Sequence, residues 1–333
     1  MTMKLLQIAN IPNICGGTGA CVYSIKRALP DWDHEILFVN AGDGECSDEE
    51  KAHYGCQISR VSKITPAYLE SVALDVVIFH NTGASTMPNF LSRDFISIFY
   101  EHSALKTHRS ARKKCTIEWS VSMHLAVLTD QNTENVFYQP CAQTEPIPRA
   151  EGIVIGKLCT SGHMGREKWS LDDLYDFYAY LHKNHPDVQW EFVGCPDHRV
   201  EPLSQAVGEN AKFYEPAWKN RNLFHRWTAH LHSSSKLTES YGRTVCEAQA
   251  AGCIPIVDMK GGQIEQINHG ADGYLCREYS DFSDGIKFLK DPLRLDFLRE
   301  KAIKSGKERG GLQVWRNKFF NWLEAAQSLR QEA

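Results

Sequence analysis

The 333-residue chain has no apolar run approaching the roughly 18–20 residues that span a bilayer, so no membrane-crossing helix is expected. It also lacks a dominant charge: 37 Lys plus Arg stand against 41 Asp plus Glu, and the formal net charge of −4 gives no overall attraction for nucleic acid. Eleven cysteines are present, yet they scatter from Cys15 to Cys276 with no C-x2-C pair, no even framework of short spacings and no secretory leader. That scatter argues against a disulfide scaffold and implies reduced thiols in a cytoplasm. Internal repeats and low-complexity tracts are absent as well.

What is there describes a globular protein of two ordinary domains, since 42% of the residues are hydrophobic, 23% are charged, and one compact domain seldom reaches this length. The first half alternates apolar strand-like runs, at Leu5 to Ile8, Glu35 to Val39, Val76 to His80, Ile96 to Tyr100 and Leu125 to Leu128, with helical or loop segments. Such alternation predicts a parallel sheet covered by helices, here over residues 1–150. A polar stretch from Pro140 to Arg149, with further prolines at Pro146 and Pro148, breaks the pattern and sets the expected boundary near residue 150.

Beyond it the alternation resumes at Ile153 to Leu158, Val188 to Val193, Lys212 to Tyr214, His230 to Ser233 and Ile254 to Val257, with an amphipathic stretch from Leu171 to Leu181. Residues 151–312 are therefore expected to form a second doubly wound domain. Over 313–333, Trp315, Phe319, Trp322, Leu323 and Ala326 fall on one helix face and need an apolar surface to cover them.

The segment richest in chemistry runs from Thr238 to Ile256. Val245, Ala248 and Ala251 recur at helical spacing, Gly252 supplies a stop, and a short strand follows, so a helix starts near Gly242. The first turn of a helix presents N–H groups and partial positive charge, which makes the N–H groups of Tyr241, Gly242 and Arg243 candidates for holding a diphosphate. Gly242 lets the anion come close. Glu247 lies about 6–8 Å further along the axis, a distance that matches the reach from a pyrophosphate to its ribose. Glu239, ahead of the helix, is placed for the sugar end, where a carboxylate stabilises positive charge at an anomeric carbon. Without context the same two acids read as a favourable charge at a helix start and a solvated helix residue.

In context, the pair resembles the Glu-x7-Glu region of retaining glycosyltransferases of family 4. The block Lys260-Gly261-Gly262-Gln263 through Asp272-Gly273-Tyr274-Leu275 is similar to that family's next element, a Gly-Gly loop, a helix and a Gly-x-x-Gly turn into a strand, in the same order over about forty residues. The resemblance implies an α/β chain of GT-B fold, two Rossmann-like doubly wound domains facing a central cleft, with a last helix crossing back to the first domain. It also implies retaining transfer of a hexose-like sugar from a nucleoside-diphosphate sugar to a hydroxyl of a glycan, lipid-linked glycan or small molecule, with no metal or other cofactor.

The remaining constellations take their roles from the same resemblance. Asn13 to Ala20 is a Gly-rich turn after the first strand, which brings backbone close to an anionic or sugar ligand. As a nicotinamide fingerprint it fails, because Val22 holds the third glycine position; the resemblance makes Gly16 and Gly17 the loop over the donor. His80 and His102 each end a strand at the carboxyl edge, where open α/β sheets bind ligands, and the resemblance makes His102 the residue that contacts the donor sugar, with His80 second. Lys168 matches the lysine on the donor phosphates, while the accompanying arginine place holds Lys157, with Arg166 in a longer loop as the other candidate.

Lys106, Arg109, Arg112, Lys113 and Lys114 form a basic cluster with two readings: a solvated face, or a contact for an acceptor or an anionic lipid surface at the inner face of the membrane, each cation adding about 1 kcal/mol. The pairs His230 with His232 and Asp31 with Asp33 lack the surrounding ligands of a metal centre. Two other classes stay open at this point: a nucleotide-sugar epimerase or phosphorylase-like enzyme of the same fold, and a non-catalytic partner in polysaccharide assembly.

Overall fold

The structure is a computed structural model and describes residues 2–331 except 11, 40–43, 93, 107, 160–173, 209–210 and 235–237. The chain divides into two compact units, Met1–Ala142 together with Leu312–Ala333, and Gln143–Gly311.

The first unit holds β1 (Lys4–Ala9), β2 (Asp33–Val39), β3 (Gln57–Val61), β4 (Val76–His80), β5 (Ile96–Glu101) and β6 (Ile117–Ser120), ordered β3-β2-β1-β4-β5-β6 with every pair parallel. β4 is buried along its whole length, which is why its sequence Val-Val-Ile-Phe-His is a continuous apolar run and not an alternation. One face of the sheet packs Leu6, Ile8, Leu37, Val77, Phe79 and Phe99, and a second cluster gathers Ala9, Val22, Ile36, Phe38 and Tyr54. The run Leu125 to Leu128, expected as a strand, belongs instead to the Met123–Leu128 helix. The reason is local: the Ser122 hydroxyl accepts the Leu125 N–H and caps the helix start, a signal that outweighs four apolar residues.

The second unit repeats the plan with β7 (Val154–Leu158), β8 (Gln189–Val193), β9 (Ala211–Tyr214), β10 (Ala229–His232), β11 (Ile254–Asp258) and β12 (Tyr274–Cys276), ordered β12-β11-β10-β7-β8-β9 and again all parallel. Its main core joins Ile155, Phe177, Trp190, Phe192, Leu231, Ile256 and Phe282, with Trp227 and Phe224 anchoring a second cluster. Of the expected amphipathic stretch, the described part is the Leu174–Asn184 helix.

The helix Leu312–Gln331 packs on the first unit. Trp315, Phe319, Leu323 and Ala326 are buried, and Phe319 and Trp322 meet Trp32 and Trp119 at ring-centroid distances of 5.7 and 4.9 Å. Arg316 adds a two-pronged bond to Asp31, 2.7 Å on each side, which gives Asp31 a structural partner. Among the described residues, no helix is long and apolar enough to cross a membrane.

Candidate functional site

Each sheet reverses its strand order at one place, between β1 and β4 in the first unit and between β7 and β10 in the second. In doubly wound sheets the loops at the carboxyl ends of those strands diverge and leave a crevice for a ligand. Both motif regions leave the sheets there: the Gly-rich turn follows β1, His80 ends β4, and the Glu239 segment follows β10.

In the second unit, the Arg243–Ala250 helix begins on Gly242, whose φ of +78° is the left-handed conformation that a Cβ disfavours. A Cβ there would also lie 2.7 Å from Gln263 Cγ. The two sequence blocks brace each other. The Gly262 N–H donates to the Glu239 carbonyl at 2.9 Å, Gln266 Nε2 donates to the Tyr241 carbonyl, and Gln249 Nε2 donates to the Gln266 carbonyl at 2.9 Å. A Cβ on Gly262 would come within 2.1 Å of the Ser240 carbonyl oxygen, so this close approach needs glycine. The expected helix after the Gly-Gly pair is a 3-10 turn, Gly261–Gln266, because these contacts hold its backbone against the 239–241 segment.

Glu247 is buried between two guanidiniums: Arg243 Nε donates to its Oε1 at 2.7 Å, and Arg221 Nη1 donates to its Oε2. Each carboxylate oxygen has a second lone pair, so the acid keeps acceptor capacity for hydroxyl groups while its charge is balanced. Glu239 is half-buried, with Oε1 at 3.5 Å from His232 Nε2. Two ammonium groups bond to consecutive carbonyls just after β10: Lys157 donates to the Ser233 carbonyl at 2.9 Å, and Lys260 donates to the Ser234 carbonyl while lying 3.3 Å from Asp258. Lys157 is fully buried on β7. Arg166 and Lys168 lie outside the described residues.

In the first unit, the Asn13 side-chain oxygen accepts the N–H groups of Cys15 and Gly16 at 3.0 Å each, and the Gly17–Ala28 helix starts directly after Gly16. His80 is fully buried and His102 nearly so. Gln7 Nε2 donates to the Val22 carbonyl at 3.1 Å, which turns the Gln7 oxygen toward His80 Nε2 at 3.2 Å. His80 therefore carries its proton on Nε2 and offers Nδ1 to His102 Nε2, 2.9 Å away. Gln139 Nε2 closes the chain 2.6 Å from His102 Nδ1, and the His102 N–H donates to Asn81 Oδ1 at 2.7 Å. Burial pushes the His80 imidazole down to about 3, so it stays neutral.

The basic cluster is smaller than its sequence suggests. Arg112 is buried on Glu101 and the Thr129 carbonyl, at 3.0 and 2.8 Å, and Lys114 donates to the Ala84 and Met87 carbonyls at 3.0 and 3.3 Å. Lys106, Arg109 and Lys113 face solvent. Sequence reasoning missed Arg221, weighed His232 only as a metal ligand and quoted Lys260 only as the start of the Gly-Gly block, because each reaches the site only through folding. A charged residue in the short turn before β10 was the one available hint for Arg221.

Residues 157–309 match the family model described as glycosyl transferases group 1. That match falls within the second unit. The sequence has no match among curated proteins. Among solved structures, the chain is similar to HepE of Anabaena crystallised with UDP, at 17% identity and a TM-score of 0.74 over 97% of this chain and 100% of that one. It is also similar to a glycosyltransferase of Rickettsia africae, at 12% identity and TM-score 0.70 over 98% and 99% of the two chains. Sucrose-phosphate synthase of Thermosynechococcus elongatus gives 13% and 0.69 over 97% and 100%. The chain has the GT-B glycosyltransferase fold.

Proposed function

We propose that the protein is a retaining glycosyltransferase that moves a hexose-like sugar from a nucleoside-diphosphate sugar to an acceptor hydroxyl. The anomeric bond to the diphosphate breaks, a bond to the acceptor oxygen forms on the same face of the sugar, and the hydroxyl proton passes to the departing phosphate. Glu247 holds the ribose, and the N–H groups from Tyr241 to Arg243 hold the diphosphate together with Lys168 and Arg166. Glu239, His102 and the Gly16-Gly17 loop act on the sugar. Protein cations balance the leaving group in this reading, and no metal is assigned to the step.

The observation that carries the reading is the bracing of Glu239 to Glu247 by Gly262 and Gln266, which holds a helix start and two carboxylates at the reversal point of the unit that matches the group 1 glycosyltransferase model. A uridine diphosphate hexose is the first donor to test, because HepE was crystallised with UDP and with UDP-glucose. Lys106, Arg109 and Lys113 are assigned to a glycan or lipid-linked acceptor. Exposed Leu105, Val127 and Leu128 adjoin them, since the Arg112 bond to the Thr129 carbonyl draws the two segments together.

The test is a panel of uridine, guanosine and adenosine diphosphate hexoses, read by thermal shift and by release of nucleoside diphosphate. One base is expected to raise the melting temperature. Gly242→Val should remove the shift, while Glu239→Gln should keep it and abolish turnover. A full shift in Gly242→Val, or no shift with any donor, would overturn the assignment.

A further inference from the structure

Under the Gly-rich turn of the first unit, three side chains that ligate borderline and soft metals converge. Cys21 Sγ and one ring nitrogen each of His80 and His102 lie within 4.8 Å of one another, and all three residues are buried. The fold explains the meeting. The register pairs Ala9 with His80 and His80 with Tyr100, and side chains alternate along a strand, so Gln7, His80 and His102 share one face of the sheet. The Gly17–Ala28 helix covers that face and brings Cys21 down onto it.

We propose that Cys21, His80 and His102 form a binding site for a thiophilic divalent cation of the zinc class. One thiolate with two imidazoles selects such ions over magnesium or calcium. The tautomer of His80 is already set for it: Gln7 fixes the proton on Nε2 and directs the Nδ1 lone pair at the cluster, the outer-shell arrangement typical of metal-bound histidine.

Without a cation, the His102 Nε2 proton bridges the two rings at 2.9 Å. Tetrahedral ligation, with metal–nitrogen bonds of about 2.0–2.1 Å, sets ligand nitrogens about 3.4 Å apart, so the rings open by roughly 0.5 Å and the sulfur, within 4.8 Å of both nitrogens, closes by at most about 1.2 Å. On binding, the Cys21 thiol releases its proton to solvent. The His102 proton moves from Nε2 to Nδ1, where Gln139 turns its carbonyl oxygen to accept it. His102 is the least buried of the three and marks the open fourth position.

The binding stands apart from the transferase reading. Its consequence rests on that reading, because a cation on His102 Nε2 removes the side chain assigned to the sugar and would inhibit transfer.

Cobalt(II) titration of chelator-treated protein tests the site. The expected result is one equivalent bound with visible bands of tetrahedral intensity and a near-ultraviolet sulfur-to-cobalt band, displaced by zinc. Cys21→Ser should lose the sulfur band with at least a tenfold loss of affinity while keeping the parent melting temperature, and Gln7→Leu should weaken binding about tenfold with the band kept, its melting temperature lowered by a few degrees because the Val22 carbonyl and His80 Nε2–H lose their partner. No stoichiometric uptake, or an unchanged sulfur band in Cys21→Ser, would overturn the proposal. If Cys21→Ser misfolds, Cys21→Ala and the Gln7→Leu affinity decide in its place. Absence of transfer with every donor would count against the function and leave the cobalt spectrum to judge the site.

Discussion

Removing the carboxylate of Glu247 would leave Arg221 and Arg243, which are 6% and 7% exposed, facing each other with no anion between them. Taking one partner out of a buried ion pair costs about 3–5 kcal/mol, because the remaining charge stays desolvated. Here two guanidiniums share the loss, so Glu247→Ala should sit at the upper end of that range. In a unit of this size each kcal/mol moves the midpoint by roughly 2–4 °C, giving a fall of about 10–20 °C. Urea unfolding followed by tryptophan fluorescence reads it, since Trp190 and Trp227 are buried in the same unit. Adding Arg221→Met to Glu247→Ala should recover part of the loss, with a coupling energy of about 1–3 kcal/mol. The parent should gain about 2.7 kcal/mol from a nucleoside diphosphate at a hundredfold excess over its dissociation constant, and the variant should gain far less. A change within about 0.5 kcal/mol, or an undiminished ligand shift, would refute the placement of Glu247 as a buried, charge-balanced ribose acceptor.

Three further outcomes follow from the packing. A Cβ on Gly156 would lie 2.1 Å from the Trp227 ring, so Gly156→Ala should displace that ring, break its 2.7 Å bond to Glu191 and destabilise the second unit by about 3 kcal/mol, visible in near-ultraviolet circular dichroism. Phe319→Ala should cost about 3–5 kcal/mol in urea titration, whereas Asp31→Asn, which breaks only a solvent-exposed pair with Arg316, should leave the midpoint unchanged. His80 stays neutral when folded, held down to about 3, but titrates near 6.5 when unfolded. The unfolded chain therefore takes up a proton that the native state refuses. Stability is full above about pH 6.5 and falls by roughly 2 kcal/mol on going to pH 5. His34, lowered by the same burial, adds to the loss, and His80→Gln should flatten the difference between urea midpoints at the two pH values.

The Gly242 to Glu247 helix was legible because every link is short: a glycine at the start, apolar residues at helical spacing, and an acid about one and a half turns along. β4 was legible for a related reason, since a strand buried on both faces must be apolar throughout. β3 and β6 escaped notice because they are half-buried edges whose residues alternate too briefly to stand out. The Leu125 run misled because four apolar residues fit either a strand or one helical turn, and the Ser122 cap decided between them. The basic cluster misled differently. Five cations close together in sequence read as one patch, yet Arg112 turns inward to the buried Glu101.

Local order thus determined the class of fold and the position of the two acids, because strand and helix periods and glycine stops act over a few residues. Arg243 meets Glu247 within one helix, but the rest of the site's charge balance came from tertiary structure. Arg221 reaches Glu247 from a turn 26 positions earlier, and the proton on His80 is placed by a glutamine 73 positions away. Such partners leave no pattern in the chain, since a buried polar group needs only one correctly aimed atom, and any element that folds beside it can supply that atom.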